Sequence, residues 1–253
     1  MPTRASTPGA RAQSYWKASR SPRYSLLFAL PLLVFYEVLA AAVNGHAGHA
    51  ELRNGADVLL KEAAIALVGP YGPLLLMGAV VLTCLGLAAR DLRRAGGGLR
   101  AGTFALMLAE SGVLALLFGL VVGLATAELL GHIRPLAAGP VDNLDGPTKL
   151  MLSLGAGLYE ELLFRVLLVG SLAAAARVVL GMSARAAGVL ATVVGALAFS
   201  AFHYIGPYGE PLRLQSFTYR AISGVVFSVL YLTRGFGITA WTHALYDVWV
   251  MLL

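Results

Sequence analysis

Two adjacent glutamates and an arginine interrupt an apolar stretch of the chain, with the sequence Tyr159-Glu160-Glu161-Leu162-Leu163-Phe164-Arg165. On an α-helix Glu161 and Arg165 would share a face one turn apart, so the arginine can neutralise that carboxylate. Glu160 would point about 100° away, where it has no such local partner. An unpaired carboxylate in an apolar site is suited to act as a general base or acid. A buried ion-pair network that joins helices is the alternative interpretation.

Two histidines later in the chain also lie in or at the end of apolar stretches. The sequence Phe199-Ser200-Ala201-Phe202-His203 ends one apolar stretch, and His243-Ala244-Leu245-Tyr246-Asp247 lies within another. His243 and Asp247 are four residues apart, so the aspartate can fix the tautomer and orientation of the imidazole. Taken singly, each is explained by a structural histidine or a helix-stabilising hydrogen bond. Taken with Glu160, they predict one polar site inside an apolar region.

The apolar stretches themselves predict membrane helices. Hydrophobic residues make up 58% of the chain and charged residues 13%, whereas soluble domains carry about a quarter charged residues. A spanning helix needs roughly 17 to 25 apolar residues, and the alternating pattern of a membrane barrel is absent. We therefore expect an all-α polytopic transmembrane bundle of about seven spans, at 24–43, 71–89, 103–131, 149–173, 186–204, 218–233 and 236–253.

The stretch 56–69 leaves the number of spans open. It is apolar but carries Asp57, Lys61 and Glu62, so it is either an eighth span or an interfacial helix. Seven spans would place the site in the middle-to-outer half of the bilayer, opening outward. An eighth span would invert every later helix.

The net charge of +6 comes from basic residues that lie between the apolar stretches. This distribution follows the positive-inside rule, which places residues 1–23 and the loop at 90–102 in the cytoplasm. It excludes a nucleic-acid-binding surface. The apolar run after residue 23 is too long for a signal peptide and predicts a retained anchor. A single cysteine, Cys84, excludes an internal disulfide and a cysteine-rich zinc site.

The ionisable residues of interest are concentrated in the second part of the chain. A turn-rich segment at 133–147 separates two hydrophobic regions. We expect a basic cytoplasmic segment at 1–23, N-terminal transmembrane helices that serve as a scaffold at 24–131, and a catalytic membrane core at 148–253.

The ordered motifs of this core resemble those of a known family. Glu160-Glu161-x-x-x-Arg165, Phe199-x-x-x-His203 and His243-x-x-x-Asp247 resemble the three motifs of the CPBP family, the CAAX-prenyl-protease-like and bacteriocin-processing intramembrane proteases, also called ABI proteins. The family motifs read E-E-x-x-x-R, F-x-x-x-H and H-x-x-x-N. Asp247 stands where the family often has asparagine. An ionised aspartate only accepts hydrogen bonds, so Asp247 is either protonated or orients His243.

The resemblance implies an intramembrane endopeptidase of the glutamic type. In that mechanism Glu160 deprotonates a water held between it and His203, while His243, together with Asp247, assists the water or the oxyanion. Glu161, Arg165 and Phe199 support the site. The implied partners are a protein or peptide substrate with a membrane-proximal segment and the lipid bilayer. No cofactor is expected, although Glu160, His203 and His243 leave a zinc site open.

Two other functions remain compatible with the sequence. Intramembrane carboxylates and histidines also serve as proton relays in membrane transporters. A family member without catalysis would act as a membrane immunity or assembly factor. The composition, rich in alanine, leucine, glycine and arginine, indicates a bacterial protein and hence the inner membrane.

Overall fold

Helices form all the regular structure that is described. The computed structural model describes residues 15–45, 52–95, 98–131, 143–206 and 209–252. A short helical segment at 15–19 is followed in this part of the chain by α1 (Pro22–Asn44), α2 (Gly55–Val68), α3 (Gly72–Ala95), α4 (Ala101–Leu130), α5 (Gly146–Gly155), α6 (Gly170–Val178), α7 (Ala184–Phe202), α8 (Leu214–Arg234) and α9 (Phe236–Leu252). Between α5 and α6 run two π-helical segments, π1 (Ala156–Glu160) and π2 (Leu162–Val169). The predicted all-helical fold is therefore confirmed for these ranges. Residues 1–14 of the predicted N-terminal segment and most of the predicted loop at 133–147 lie outside them.

Four of the described helices are long and apolar enough to cross a membrane, namely α1, residues Gly72–Arg94 of α3, α4 and α7. They coincide with four predicted spans, and the protein is an integral membrane protein. The predicted span at 149–173 is instead divided among α5, π1, π2 and α6. The predicted spans at 218–233 and 236–253 fall on α8 and the 17-residue α9. The predicted count of seven to eight spans is thus not confirmed.

The apolar stretch at 56–69 forms α2, which has 14 residues. At 1.5 Å per residue this helix is about 21 Å long, shorter than the roughly 30 Å hydrocarbon core of a bilayer. Its first turn is inside the bundle, because Asn54, Ala56 and Asp57 are buried. The side chain of Asn54 caps this helix by accepting a hydrogen bond of 2.9 Å from the Ala56 N–H.

Two glycines bring the α5–π1 region against its neighbours. A Cβ on Gly155 would lie 2.5 Å from Cε2 of Tyr36 and 2.7 Å from Cβ of Asn54. A Cβ on Gly157 would collide with the carbonyl oxygen of Ala240. Small residues at such crossings allow membrane helices to approach closely. The segment that carries Glu160 is therefore pressed between α1, the start of α2 and α9.

The aspartate that precedes α5 fixes the start of this segment. The Asp145 carboxylate accepts a hydrogen bond of 2.9 Å from the Thr148 N–H. This N-cap hydrogen bond from Thr148 holds the pKa of the exposed Asp145 carboxyl below its usual range. Because a deprotonated cap also complements the helix dipole, α5 begins at a defined residue.

Basic residues from several helices meet at one end of the bundle, which we call the basic end. A nitrogen of Arg20 donates to the carbonyl oxygen of Leu232 at 3.2 Å, and the Arg100 N–H donates to the Tyr24 hydroxyl at 3.0 Å. Arg234 pairs with Glu110 at the same end. From Tyr24 to Tyr36, α1 advances by about 18 Å at 1.5 Å per residue. Tyr36 marks the level of the site described next.

Candidate active site

Glu160 and Glu161 lie on a π-helical part of the chain and not on the α-helix assumed from their spacing. Residues Ala156–Glu160 and Leu162–Val169 are π-helical, with Glu161 between them. A π-helix closes its hydrogen bonds between residues five apart, and such turns are frequent at functional sites. Residues 156–161 are all buried. The sequence pattern could not reveal this, because the packing around the segment selects the wider turn.

Glu160 is nearly enclosed and is held by a neutral partner. The residue is 6% exposed. Oε1 accepts a hydrogen bond of 2.9 Å from Nδ2 of Asn54. Oε2 lies 4.0 Å from Nε2 of His203 and has no hydrogen-bond partner among the described groups. This carboxylate therefore keeps one oxygen directed toward an imidazole.

His203 follows the last residue of α7 and is oriented by its own helix. Its Nδ1 lies 2.9 Å from the carbonyl oxygen of Phe199. Because a carbonyl oxygen only accepts, Nδ1 carries the proton in this contact, and a neutral ring presents a lone pair at Nε2. The Glu210 N–H donates to the His203 carbonyl oxygen at 3.0 Å. The lone pair on Nε2 and Oε2 of Glu160 thus face each other as two acceptors.

Glu161 connects the π-helical segment to α9. This residue is fully buried. Its Oε1 lies 2.7 Å from Nδ1 of His243, and its Oε2 lies 3.1 Å from Nε of Arg165. His243 in turn places Nε2 3.7 Å from Oδ2 of Asp247. The Asp247 contact is longer than a hydrogen bond, so Glu161, and not the expected Asp247, directly orients His243.

Aromatic rings enclose the charged groups of this site. The guanidinium carbon of Arg165 lies 4.5 Å from the ring centroid of Phe199 and 5.3 Å from that of Phe227. The Phe227 ring also stacks on His243, at 4.3 Å between centroids. The two terminal nitrogens of Arg165 form no hydrogen bond with the described part of the chain. Contact with ring faces partly replaces the lost hydration of this cation.

The structure brings all the sequence-predicted site residues together. Glu160, Glu161 and Arg165 come from the π-helical region, Phe199 and His203 from the end of α7, and His243 and Asp247 from α9. Sequence reasoning missed Asn54 and Phe227. Asn54 has the residue type of a helix N-cap, but no local signal indicates its contact with Glu160. Phe227 has no feature that separates it from other apolar helix residues.

The three residues considered as zinc ligands are not arranged as a ligand set. In the described ranges no group of three histidine, cysteine, aspartate or glutamate side chains is placed to hold a metal ion. Nδ1 of His243 is engaged by Glu161, and Glu160 and His203 are separated by 4.0 Å. A catalytic zinc site would need three ligand atoms about 2.0–2.2 Å from one ion. As placed, these three side chains do not form such a ligand set.

A comparison with protein-family models identifies the region that carries this geometry. Residues 147–249 are Rce1-like. They match the family model described as type II CAAX prenyl endopeptidase Rce1-like, which confirms the resemblance seen in the motifs. The Rce1-like region begins within α5 and contains every predicted site residue, whereas α1 to α4 and Asn54 lie outside it. No curated protein and no solved structure matches the chain. The Rce1-like match supports a peptidase, specifically a CAAX-type intramembrane protease.

Proposed function

We propose that this protein is an intramembrane endopeptidase of the glutamic type, which hydrolyses a peptide bond near the membrane in a protein or peptide substrate. One observation carries the proposal. The buried carboxylate of Glu160 forms no ion pair with lysine or arginine among the described residues, and its free oxygen lies 4.0 Å from Nε2 of His203. A buried carboxylate that only stabilised the fold would be expected to have a cationic partner.

The two facing acceptors suit a catalytic water. A water molecule that donates one proton to Oε2 of Glu160 and the other to Nε2 of His203 satisfies both. Glu160 then takes the first proton as the water oxygen attacks the carbonyl carbon of the substrate. When the tetrahedral intermediate collapses, the carbon–nitrogen bond breaks and Glu160 returns this proton to the leaving amine. The carboxylate is regenerated, and no further reactant is needed.

His243 is placed to stabilise the oxyanion of that intermediate. Its Nδ1 is fixed by Glu161 at 2.7 Å, so the ring cannot turn freely and Nε2 points away from Glu161. In its protonated form the imidazole donates from Nε2, with Glu161 and Asp247 compensating its charge. Asp247, at 3.7 Å from Nε2, acts through His243 in this mechanism.

The proposal includes the remaining assignments made from the sequence. We infer that residues 148–253 form the catalytic core, that 24–131 support it, and that no metal takes part. The substrate approaches from the bilayer, and no nucleic acid is involved. The alanine-, leucine-, glycine- and arginine-rich composition supports a bacterial inner membrane.

A proteomic comparison of membranes tests the function before any substrate has been identified. Membranes from cells that produce the wild-type protein and membranes from cells that produce Glu160→Gln at equal levels are compared for peptide termini. We expect termini near membrane segments that occur only with the wild-type protein. Identical sets of termini in the two samples would contradict the proposal.

A further inference from the structure

We propose that Asn54 is a positioning residue that holds one oxygen of Glu160 and thereby aims the other at His203. This inference rests on the proposed function of Glu160. It places part of the working site on the N-terminal side of the chain, outside the Rce1-like region at 147–249. The scaffold role expected for residues 24–131 is then incomplete, because one of their side chains contacts the proposed general base.

The orientation of the Asn54 amide is determined by α2. Its Oδ1 accepts the N-cap hydrogen bond of 2.9 Å from the Ala56 N–H, so the amide nitrogen is on the opposite side. That nitrogen donates to Oε1 of Glu160 at 2.9 Å. Asn54 is 6% exposed, which leaves little solvent to compete for either bond. A single amide therefore begins a helix with one atom and binds the carboxylate with the other.

Asn54 is itself held by a chain of buried groups. Its backbone N–H donates to the Tyr36 hydroxyl at 3.1 Å, and that hydroxyl donates to Oδ2 of Asp57 at 2.8 Å. Asp57 pairs with Arg53 at 3.2 Å and with Lys61 at 2.8 Å. Tyr36 and Asp57 are both fully buried. The position of Asn54 is therefore fixed by contacts that do not involve Glu160.

The close approach depends on Gly155, five residues before Glu160. A Cβ at this position would meet Cβ of Asn54 at 2.7 Å, a distance at which one of the two must move. The lack of a side chain at Gly155 thus allows Asn54 to reach the π-helical segment.

The hydrogen bond matters because the last torsion of a glutamate side chain is soft and nearly two-fold. Without a donor at Oε1, the carboxylate can rotate about this torsion into orientations in which neither oxygen faces His203. Oε2 would then no longer be held at 4.0 Å from Nε2 of His203. Misplacement of a reacting group lowers the rate of the chemical step more than it weakens substrate binding.

Two substitutions separate this role from the capping role of Asn54. Asn54→Ser retains a good N-cap but is too short to reach Glu160. Asn54→Asp retains the cap and nearly the same shape but replaces the donor by a carboxylate. Ser183→Ala, which removes the exposed N-cap of α7, is the control for loss of a cap alone. The assay uses a synthetic peptide spanning a cleavage site found in the comparison of wild-type and Glu160→Gln membranes.

We expect Asn54→Ser to lower kcat by about 10- to 100-fold, the range for one hydrogen bond to a charged group, with KM within about twofold. Asn54→Asp should lose more, and Ser183→Ala should keep the wild-type kcat. The Glu160 carboxyl band, isolated in infrared spectra by subtracting Glu160→Gln from wild type, should shift in Asn54→Ser and not in Ser183→Ala.

The outcomes distinguish this inference from the proposed function. Wild-type turnover in Glu160→Gln would overturn the proposed function. An inactive Glu160→Gln together with wild-type kcat and an unshifted carboxyl band in Asn54→Ser would overturn only the role of Asn54. If Asn54→Ser does not fold, the nearly isosteric Asn54→Asp carries the test at a pH at which the introduced carboxyl is ionised and cannot donate, and a wild-type kcat there would overturn the inference.

Discussion

Two partly buried groups of charges lie on either side of Tyr159 and differ in how completely they are paired. The first, which we call the charged cluster, consists of Glu37, Arg53, Asp57 and Lys61. Glu37 lies 3.1 Å from Arg53 and 3.0 Å from Lys61, and Asp57 contacts the same two cations. Each carboxylate of this cluster therefore has two cationic partners.

The candidate site pairs its two carboxylates unequally. Glu161 contacts both Arg165 and His243, much as the carboxylates of the charged cluster contact their cations. Among the described residues, Glu160 contacts only the neutral amide of Asn54 and, at 4.0 Å, His203. The Tyr159 hydroxyl donates to Glu37 at 2.7 Å, so the residue directly before Glu160 belongs to the charged cluster. The comparison suggests that paired charges fix the helices, while the incompletely paired carboxylate performs the chemistry.

The largest expected effect comes from Glu160→Gln. Loss of the general base should lower the rate of peptide cleavage by at least about 10²–10⁴-fold, while the melting temperature in detergent stays near the wild-type value because no ion pair with lysine or arginine is broken. Glu128→Gln, at an exposed position of α4, is the matched control and should cleave normally. Near-normal turnover by purified Glu160→Gln would mean that Glu160 is not the general base. The candidate site would then not differ in role from the charged cluster.

Arg165→Ala should lower stability, because it breaks the ion pair between Glu161 and Arg165. It leaves Glu161 without its guanidinium partner in a fully buried position, and breaking a buried pair costs about 3–5 kcal/mol. We expect the melting temperature and the yield of folded protein to fall clearly. The cleavage rate per folded molecule should change less. Arg177→Ala, which removes an exposed arginine, controls for the change in net charge. Lost activity with an unchanged melting temperature would show that Arg165 works directly on the substrate.

Lys61→Met tests the charged cluster itself. Glu37 and Asp57 keep Arg53 as a partner, and the Lys61 side chain is 15% exposed. We therefore expect a loss of about 1–3 kcal/mol in the free energy of unfolding, less than for a fully buried pair. Cleavage by the folded variant should change less than about threefold, since the general base is intact. A loss of rate comparable to that of Glu160→Gln would mean that the charged cluster takes part in catalysis.

Thiol labelling determines the side of the membrane on which the site lies. The charged cluster contacts Tyr36 of α1, and Tyr159, the residue before Glu160, packs against the same ring. This level of α1 is away from the basic end, which the positive-inside rule places in the cytoplasm. A cysteine at Leu212, which is 71% exposed, in a Cys84→Ala background should react with an impermeant reagent on intact cells. Gly206 is less suitable for this purpose because its φ of +90° disfavours a side chain. Labelling only in broken cells would place the site on the cytoplasmic side.

Removal of metal ions should have no effect. Strong chelators are expected to leave cleavage intact, and elemental analysis of active protein should find no stoichiometric zinc, because Glu160 and His203 activate the water in the proposed mechanism. One zinc per chain, with activity lost on stripping and restored by adding zinc, would replace the glutamic mechanism by a metal-dependent one.

The sequence predicted that the chain is helical and that its polar residues inside the apolar stretches lie together, because charged residues in such stretches are conspicuous. Glu160, Glu161, Arg165, His203 and His243 could be found in this way. The contact between Glu161 and His243 joins residues 82 positions apart, so it depends on how helices pack and not on local spacing. The same holds for Asn54 and Glu160, which are 106 positions apart.

The number of spans and the π-helical turns could not be derived from the sequence, because both depend on contacts between helices. The predicted span at 149–173 has the composition of one continuous helix, yet π-helical backbone divides it. Hydropathy measures composition, whereas close contacts of Gly155 and Gly157 with other helices influence the local backbone. The short length of α2 likewise follows from its buried start at Asn54, which hydropathy does not register.

The dispersal of the site over α2, π1, α7 and α9 has a consequence for biosynthesis. A ribosome completes these elements in that order, with Glu160 emerging long before His243. Until α9 packs against α1, where the Trp241 indole donates to the Phe28 carbonyl oxygen at 2.6 Å, Glu161 has no imidazole to orient. A half-made chain therefore carries the carboxylates without the assembled site.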